Sequence, residues 1–476
     1  MSISAATVWE LRSGGSDTNG GGYVAGGGGT DWSQQNSPQY SVTDAVTAGT
    51  TTITSATAAF GADVVGNLLY IAGGTGSITA GWYQIISRTN STTIVVDRST
   101  GLTTGTGATL HIGGALATWQ TLINNLQAGN SAWVKGSFTV TAALSIVNFQ
   151  ATTGCVITGY GTSRGDAGQA TLTTATNSID LVDISNSYGL VFRQITFSST
   201  AGTRGEGVYS TTGSNNSAGI AFDTCIFDGL KHGVLGDYNT GFMYVSLWLR
   251  NCEVKNCTQA GVRNSGYTAM FGCYVHSNGT DGLQHESGGT AGGLVLDRCI
   301  FKSNGNMGVL MTSSDTPIAS GSGAATVKNC VFSDNAVAGF QRDGNTYALL
   351  HFENNISYAN GTYGIQIVST PCMVIGGYNA YGANTTAAYG GNAVAQPGDV
   401  TLSVDPFVNR SSGNFALNAT TGGGAACSSA GFPGALLAGG TGYESIGALT
   451  PNASVTTTIY AITKSQTIFL GDQGEY

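Results

Sequence analysis

Leu296-Asp-Arg-Cys299-Ile-Phe301-Lys-Ser-Asn304-Gly-Asn-Met-Gly308-Val309 carries the pattern that decides the fold. Its first half recurs as Phe222-Asp-Thr-Cys225-Ile-Phe227, Leu249-Arg-Asn-Cys252-Glu-Val254 and Met270-Phe-Gly-Cys273-Tyr-Val275. Further on it recurs as Val327-Lys-Asn-Cys330-Val-Phe332 and Phe352-Glu-Asn-Asn355-Ile-Ser357. From Cys225 the fourth position returns after 27, 21, 26, 31 and 25 residues, an average of 26. A second anchor keeps phase with the first: Asn278 with Gly282, Asn304 with Gly308, Asn335 with Gly339, and Asn360 with Gly364. Gly233-Val and Gly261-Val extend that column toward the N-terminus. Two anchors in fixed phase over six units mark structural repeats.

Within each unit the hydrophobic period is two, and the apolar runs of three to five residues are too short for helices. Three short strands close one coil of about 26 residues, and successive coils stack their strands in parallel about 4.8 Å apart. Equivalent residues then stand above one another. Cys225, Cys252, Cys273, Cys299 and Cys330 form an interior column that ends at Asn355. Asp223, Arg250, Phe271, Asp297, Lys328 and Glu353 form an outward one. That outward column reads as a ladder of exposed charge pairs, each worth less than ~1 kcal/mol. The glycines serve turns with positive φ or close approach between coils.

Composition agrees with an extended β protein. Glycine occupies 73 positions and proline only 7, with 41% hydrophobic residues, so the chain has core-forming material and lacks the proline of collagen. Charged residues are only 9%, which leaves the surface to Ser, Thr, Asn and Gly, a habit commoner on extracellular fibres and particle surfaces. A net charge of −9 without Lys/Arg clusters argues against nucleic-acid binding. No run of about 18 apolar residues suggests a membrane span, and the first residues lack the pattern of a signal peptide. The nine cysteines contain no CxxC pair and read as buried free thiols, with a disulfide framework or a metal site as alternatives.

Along the chain, residues 1–45 read as a Gly-rich attachment arm carrying Trp9, Tyr23, Trp32 and Tyr40. Residues 46–115 read as a small β domain. Residues 116–130 hold a capping helix, because Trp119, Leu122, Ile123 and Leu126 fall on one face. Coils are expected over 131–395 and a closing region over 396–449. A Thr-rich C-terminal arm, 450–476, carries Thr467-Ile-Phe-Leu470 and suits pairing with a partner.

The coil pattern Asn-Cys-x-Phe-x-x-Asn-x-x-x-Gly-Val resembles right-handed parallel β-helix repeat proteins of the pectin-lyase-like superfamily. The helix followed by Gly129-Asn-Ser-Ala-Trp-Val-Lys-Gly136 looks like the start of that fold. Asp405-Pro-Phe-Val-Asn409, Gly413-Asn-Phe-Ala-Leu417 and Ile446-Gly-Ala448 look like its end. The resemblance implies an all-β, right-handed parallel β-helix, and the general crossover preference agrees on the hand. The opening Trp9-Glu-Leu-Arg-Ser-Gly-Gly-Ser-Asp-Thr-Asn-Gly-Gly-Gly-Tyr23 resembles tailed-phage structural and tailspike-type β-helix proteins.

One outward column offers chemistry: Asp237, Ser265, Glu286, Thr312 and Asp343. Glu286 and Asp343, two coils or about 9.6 Å apart along the axis, match the spacing of an inverting glycosidase pair. His285 and Arg342 are their expected cationic neighbours, and with Asp237 they are the glycan-binding candidates. The plain alternative is two solvated carboxylates on a polar face. The scattered histidines lack metal-binding spacing, so no metal and no cofactor are expected. The leading expectation is a structural phage virion protein (capsid decoration, head fibre or tail fibre), assembled in the host cytoplasm and exposed after lysis. Its expected partners are other virion proteins, two further copies in a homotrimer, and a host surface glycan. The alternatives are a tailspike depolymerase that hydrolyses surface polysaccharide and a bacterial surface adhesin.

Overall fold

The computed structural model describes residues 3–210, 219–236, 246–287, 293–313, 324–344, 348–369, 372–428, 430–431 and 446–447. Asp237, the loop around Asp315, and the arm 450–476 lie outside the described residues. The described strands form three long sheets of twelve, eleven and ten strands wound around one interior, beside a closed six-stranded barrel. The three strands of one coil are Leu294–Asp297, Ile300–Lys302 and Val309–Ser313, one in each sheet. Each pairs in parallel with its equivalent in the next coil, as Leu296 with Val327, Phe301 with Phe332, and Val309 with Phe340.

The bend between the first and second sheets is a single residue with positive φ. Gln194, Thr224, Asn251, Gly272, Arg298, Asn329 and Asn354 occupy it in successive coils, with φ between 52° and 61°. Most are not glycine. Asn251, Asn329 and Asn354 belong to the residue type that tolerates this region best. The residue after the bend turns inward, so Cys225, Cys252, Cys273, Cys299 and Cys330 are all buried. All nine cysteines are free thiols, and burial pushes Cys155, Cys257 and Cys427 up to about 12.

Aromatic rings stack between coils behind this column: Phe192 on Phe222, Phe197 on Phe227, and Phe301 on Phe332, with centroids 5.0–5.5 Å apart. Beyond the second sheet runs a ladder of buried asparagine amides. Asn278, Asn304, Asn335 and Asn360 each donate 2.9 Å to the Oδ1 of the next asparagine, and the last bond ends on Asn384. The glycines of the repeat have a different task from turning. A Cβ at Gly282 would stand 2.5 Å from the Gly308 carbonyl oxygen and 2.9 Å from the Asn304 amide.

On the outer face, Arg250 and Arg193 both bind Asp223, at 2.6 and 3.0 Å, and Lys328 binds Glu353 at 3.2 Å. The closing region lies against the outer face of the second sheet. There Leu402, Phe407, Phe415, Cys427 and Ile446 bury the outward residues Ile300, Val331, Ile356 and Ala380.

The N-terminal reading needs correction. Residues 1–45 are not an extended arm, because Thr7–Arg12 is a strand of the first sheet, parallel to Ser131–Lys135. Its alternation sends Trp9 and Leu11 into the core beside the helix Trp119–Asn125, and the Trp9 indole donates 3.1 Å to Asn130. Glu10 faces the other way and is buried under Arg12 and Arg164, at 2.7 and 2.6 Å, while Arg164 also binds Asp31 at 2.9 Å. Tyr23 donates to the Gly29 carbonyl, and the Trp32 backbone N–H donates to Asn67 Oδ1. Tyr40 begins the barrel strand Tyr40–Ala48 and donates to Asp63. Of the four aromatics, Trp9 lies in the β-helix core and Tyr40 packs against the barrel core.

Gly282→Ala is expected to destabilise the chain by ~1–3 kcal/mol in urea unfolding, because the obstructing atoms include backbone of the next coil. Gly272→Asn, at a bend where asparagine is already used, should stay within ~0.5 kcal/mol.

Candidate functional site

The third sheet carries the polar column singled out in the sequence. In Leu283–Ser287 alternate residues face opposite sides, so Leu283 and His285 enter the core while Gln284 and Glu286 face outward. Register then places Glu286 beside Thr312 and Thr312 beside Asp343. A parallel outward column runs Arg263, Gln284, Leu310, Gln341 and Gln366. Glu286, Thr312 and Asp343 of the one column, and Arg263, Gln284, Gln341 and Gln366 of the other, stay partly exposed, whereas Ser265 is buried.

Glu286 is already engaged. Arg263 Nε lies 3.0 Å from its Oε1, the Gln284 amide donates 2.9 Å to the same oxygen, and the Ser265 hydroxyl lies 3.2 Å from Oε2. Asp343 is met by the Ser369 hydroxyl at 3.4 Å. Thr312 stands between the two carboxylates.

The expected cationic neighbours require correction. His285 and Arg342 adjoin Glu286 and Asp343 in sequence, and adjacent residues of a strand face opposite sides. Both are therefore core residues, 0% and 1% exposed. His285 Nδ1 meets the Thr268 hydroxyl at 3.2 Å, and burial pushes its pKa down to about 4. Burial likewise lowers Arg342, whose guanidinium donates 2.9 Å to the Gly344 carbonyl. Neither reaches a ligand on the outer face.

Two clusters escaped the sequence reading. At the corner between the second and third sheets, Glu206 binds Lys231 at 2.7 Å and His232 Nδ1 at 2.8 Å, and its backbone N–H donates 2.7 Å to Asp180. Burial alone would raise the Glu206 pKa, but His232 and Lys231 outweigh it and hold the carboxyl below its ordinary range. Asp180, Glu206 and His232 are each 26 residues apart, one coil, so phase alignment of charged residues would have found them. On the outer face of the first sheet, Trp248 packs against Tyr267 and Phe271, with centroids 5.7 and 6.3 Å away. Among the described residues, no group of three His, Cys, Asp or Glu side chains is placed to hold a metal ion.

The buried neutral imidazole has a pH signature. Its folded pKa lies below the ordinary value of about 6.5, so the unfolded chain binds the extra proton between pH 6.5 and 4. Stability from this residue is complete above pH 6.5 and is lost as pH falls through that window. His285→Met, which matches the stacked Met311, should flatten the pH dependence of unfolding between pH 6.5 and 4. An unchanged slope would show that His285 is not held neutral.

The family model described as "Right handed beta helix region" matches residues 180–322. No curated protein matches the chain. Among solved structures, pectate lyase Pel9A is similar over 71% of this chain and 91% of its own, at 12% identity and TM-score 0.43. The enzymatically active domain of tailspike protein 2 from bacteriophage CBA120 is similar over 71% of this chain and 53% of its own, at 13% identity and TM-score 0.33. The catalytic domain of a GH87 alpha-1,3-glucanase covers 78% of this chain and 90% of its own, at 10% identity and TM-score 0.37. With three parallel sheets wound in coils and the family match in their midst, the chain is a right-handed parallel β-helix protein.

Proposed function

We propose that this chain is a structural protein of a tailed-phage particle, a capsid decoration, head fibre or tail fibre, and that the outer face of its third sheet holds a host surface glycan without cutting it. The observation that carries the reading is the polar face from Arg263 to Gln366. Amides, hydroxyls and carboxylates stand there in two columns at the strand spacing of about 4.8 Å, backed by a rigid core. Such a face offers repeated hydrogen bonds to the hydroxyls of an extended polysaccharide. On the second sheet the closing region covers the outward residues Ile300, Val331, Ile356 and Ala380.

Hydrolysis is disfavoured by the surroundings of Glu286, whose two oxygens accept from Arg263, Gln284 and Ser265, and by the inward direction of His285 and Arg342. The depolymerase reading keeps one supporting observation, namely that Glu286 and Asp343 share a column two coils apart. Nine free thiols suit assembly in a reducing cytoplasm and release by lysis better than export as a bacterial adhesin. The proposal includes a homotrimer and attachment to other virion proteins.

The test is binding of the full chain to a panel of bacterial lipopolysaccharide O-chains and capsular polysaccharides, with soluble reducing ends assayed in parallel. Binding without new reducing ends, weakened several-fold by Gln341→Ala, is expected, together with a solution mass three times that of one chain. Reducing ends that rise with the native protein and vanish in both Glu286→Gln and Asp343→Asn would establish the depolymerase instead. No binding across the panel would remove the glycan from the proposal.

A further inference from the structure

An aromatic platform interrupts the charge ladder on the outer face of the first sheet. Register sets Trp248 beside Ala269 and Ala269 beside Val295, with Arg250, Phe271 and Asp297 as the neighbouring outward column. Phe271 thus stands where a carboxylate would continue the ladder from Arg250. On the other side of Ala269 is Tyr267, whose ring leans toward the next coil, since a Cβ at Gly293 would stand 3.2 Å from it. The indole of Trp248 meets both rings. Ala269 has no exposed surface although it points outward between them. Trp248, 42% exposed, is the open face of the platform. Packing across strands explains why the rings meet. It does not explain why the largest of them keeps its face in water, when burial is the favourable state.

The charge beside the platform is positive. Arg193 and Arg250 both bind Asp223, so two guanidiniums share one carboxylate and one unit of positive charge is left over. Further along the same column Asp297 with Arg298, and Lys328 with Glu353, are neutral pairs. Arg250 keeps about half of its side chain in solvent and lies two residues from Trp248 on the same face, roughly 7 Å along the strand. The open indole face is on the order of 100 Å², far below the roughly 800 Å² per side of a stable protein interface. A single sugar ring matches it. One side of a pyranose presents C–H bonds of slight positive charge to the negative face of the indole. An acidic group on that ring falls to the Arg250 guanidinium as a charge-assisted hydrogen bond.

We propose that Trp248 and Arg250 form a binding site for an acidic sugar of a surface polysaccharide, the ring stacked on Trp248 and its carboxylate on Arg250. Tyr267 and Phe271 hold the indole in place. The site lies on the first sheet, so it stands or falls separately from the polar columns of the third.

The test is affinity electrophoresis of the full chain in gels containing polysialic acid, hyaluronan or heparosan, with neutral dextran as the control. Retardation by at least one acidic polymer and not by dextran is expected. It should weaken several-fold in Trp248→Ala and in Arg250→Gln and stay unchanged in Gln341→Ala. Arg250→Gln leaves Asp223 paired with Arg193, which keeps the fold out of the comparison. No retardation by any of the three acidic polymers would overturn the proposal, and so would retardation that ignores both first-sheet substitutions. Weakening by Gln341→Ala alone would overturn it by placing the glycan on the third sheet. A solution mass that falls in Trp248→Ala would overturn it too, by assigning the platform to contact between copies of the chain.

Discussion

Every feature of this molecule depends on its coils staying in phase, and the interaction that enforces phase is the buried asparagine ladder. Each Oδ1 receives both the backbone N–H and the side-chain amide of the asparagine one coil earlier, as Asn304 receives Asn278 and Asn335 receives Asn304. The second amide hydrogen goes to a backbone carbonyl, Val275 for Asn304 and Phe301 for Asn335. A buried amide left without partners costs more than its hydrogen bonds gain, so a coil slipped by one residue is penalised at every rung it touches. A second ladder takes over where the cysteine column ends, running from Asn355 through Asn379 to Asp399. Cysteine columns and stacked phenylalanines fill space. The asparagines set register.

With phase fixed, three outer faces meet different fates. The first combines a charge ladder with apolar side chains near the C-terminal end. The second is covered by the closing region from Ile300 to Ala380. The third presents polar columns whose spacing is that of the coils themselves. The N-terminal strand and the segment before the barrel are tied to the turn that follows Gln150–Tyr160 through Glu10, Asp31 and Arg164. A glycan reading rests on the third face because polar groups there are repeated, aligned and held by a core that does not yield.

The fold was legible because the Cys, Phe, Asn and Gly positions recur at the coil period, and that period also places Glu286 and Asp343 on one face. Stacking order alone says nothing of parity within a strand, so His285 and Arg342 were placed beside the carboxylates although one step along a strand reverses direction. The N-terminal strand was obscured by glycine, even though Trp9-Glu10-Leu11-Arg12 has the same alternation as any coil. The covering role of the closing region had a signal that went unused. From Tyr274 onward the outward position after each bend becomes apolar, through Ile300, Val331, Ile356 and Ala380, and a solvent-facing column has no reason to do so. The Glu206 cluster lies off the repeat anchors, and its signal in the sequence is the one-coil spacing of Asp180, Glu206 and His232.

Hydrogen exchange on Asn335→Ala tests the claim that the ladder locks the coils. Removing this side chain takes the acceptor from the Asn304 N–H and from the Asn304 amide, and the donor from Phe301 O and Asn360 Oδ1. The account predicts that slowly exchanging amides accelerate together in the coils containing Asn304, Asn335 and Asn360. Acceleration confined to the substituted coil, or none at all, would contradict it and leave the packing of cysteines and phenylalanines as the source of register.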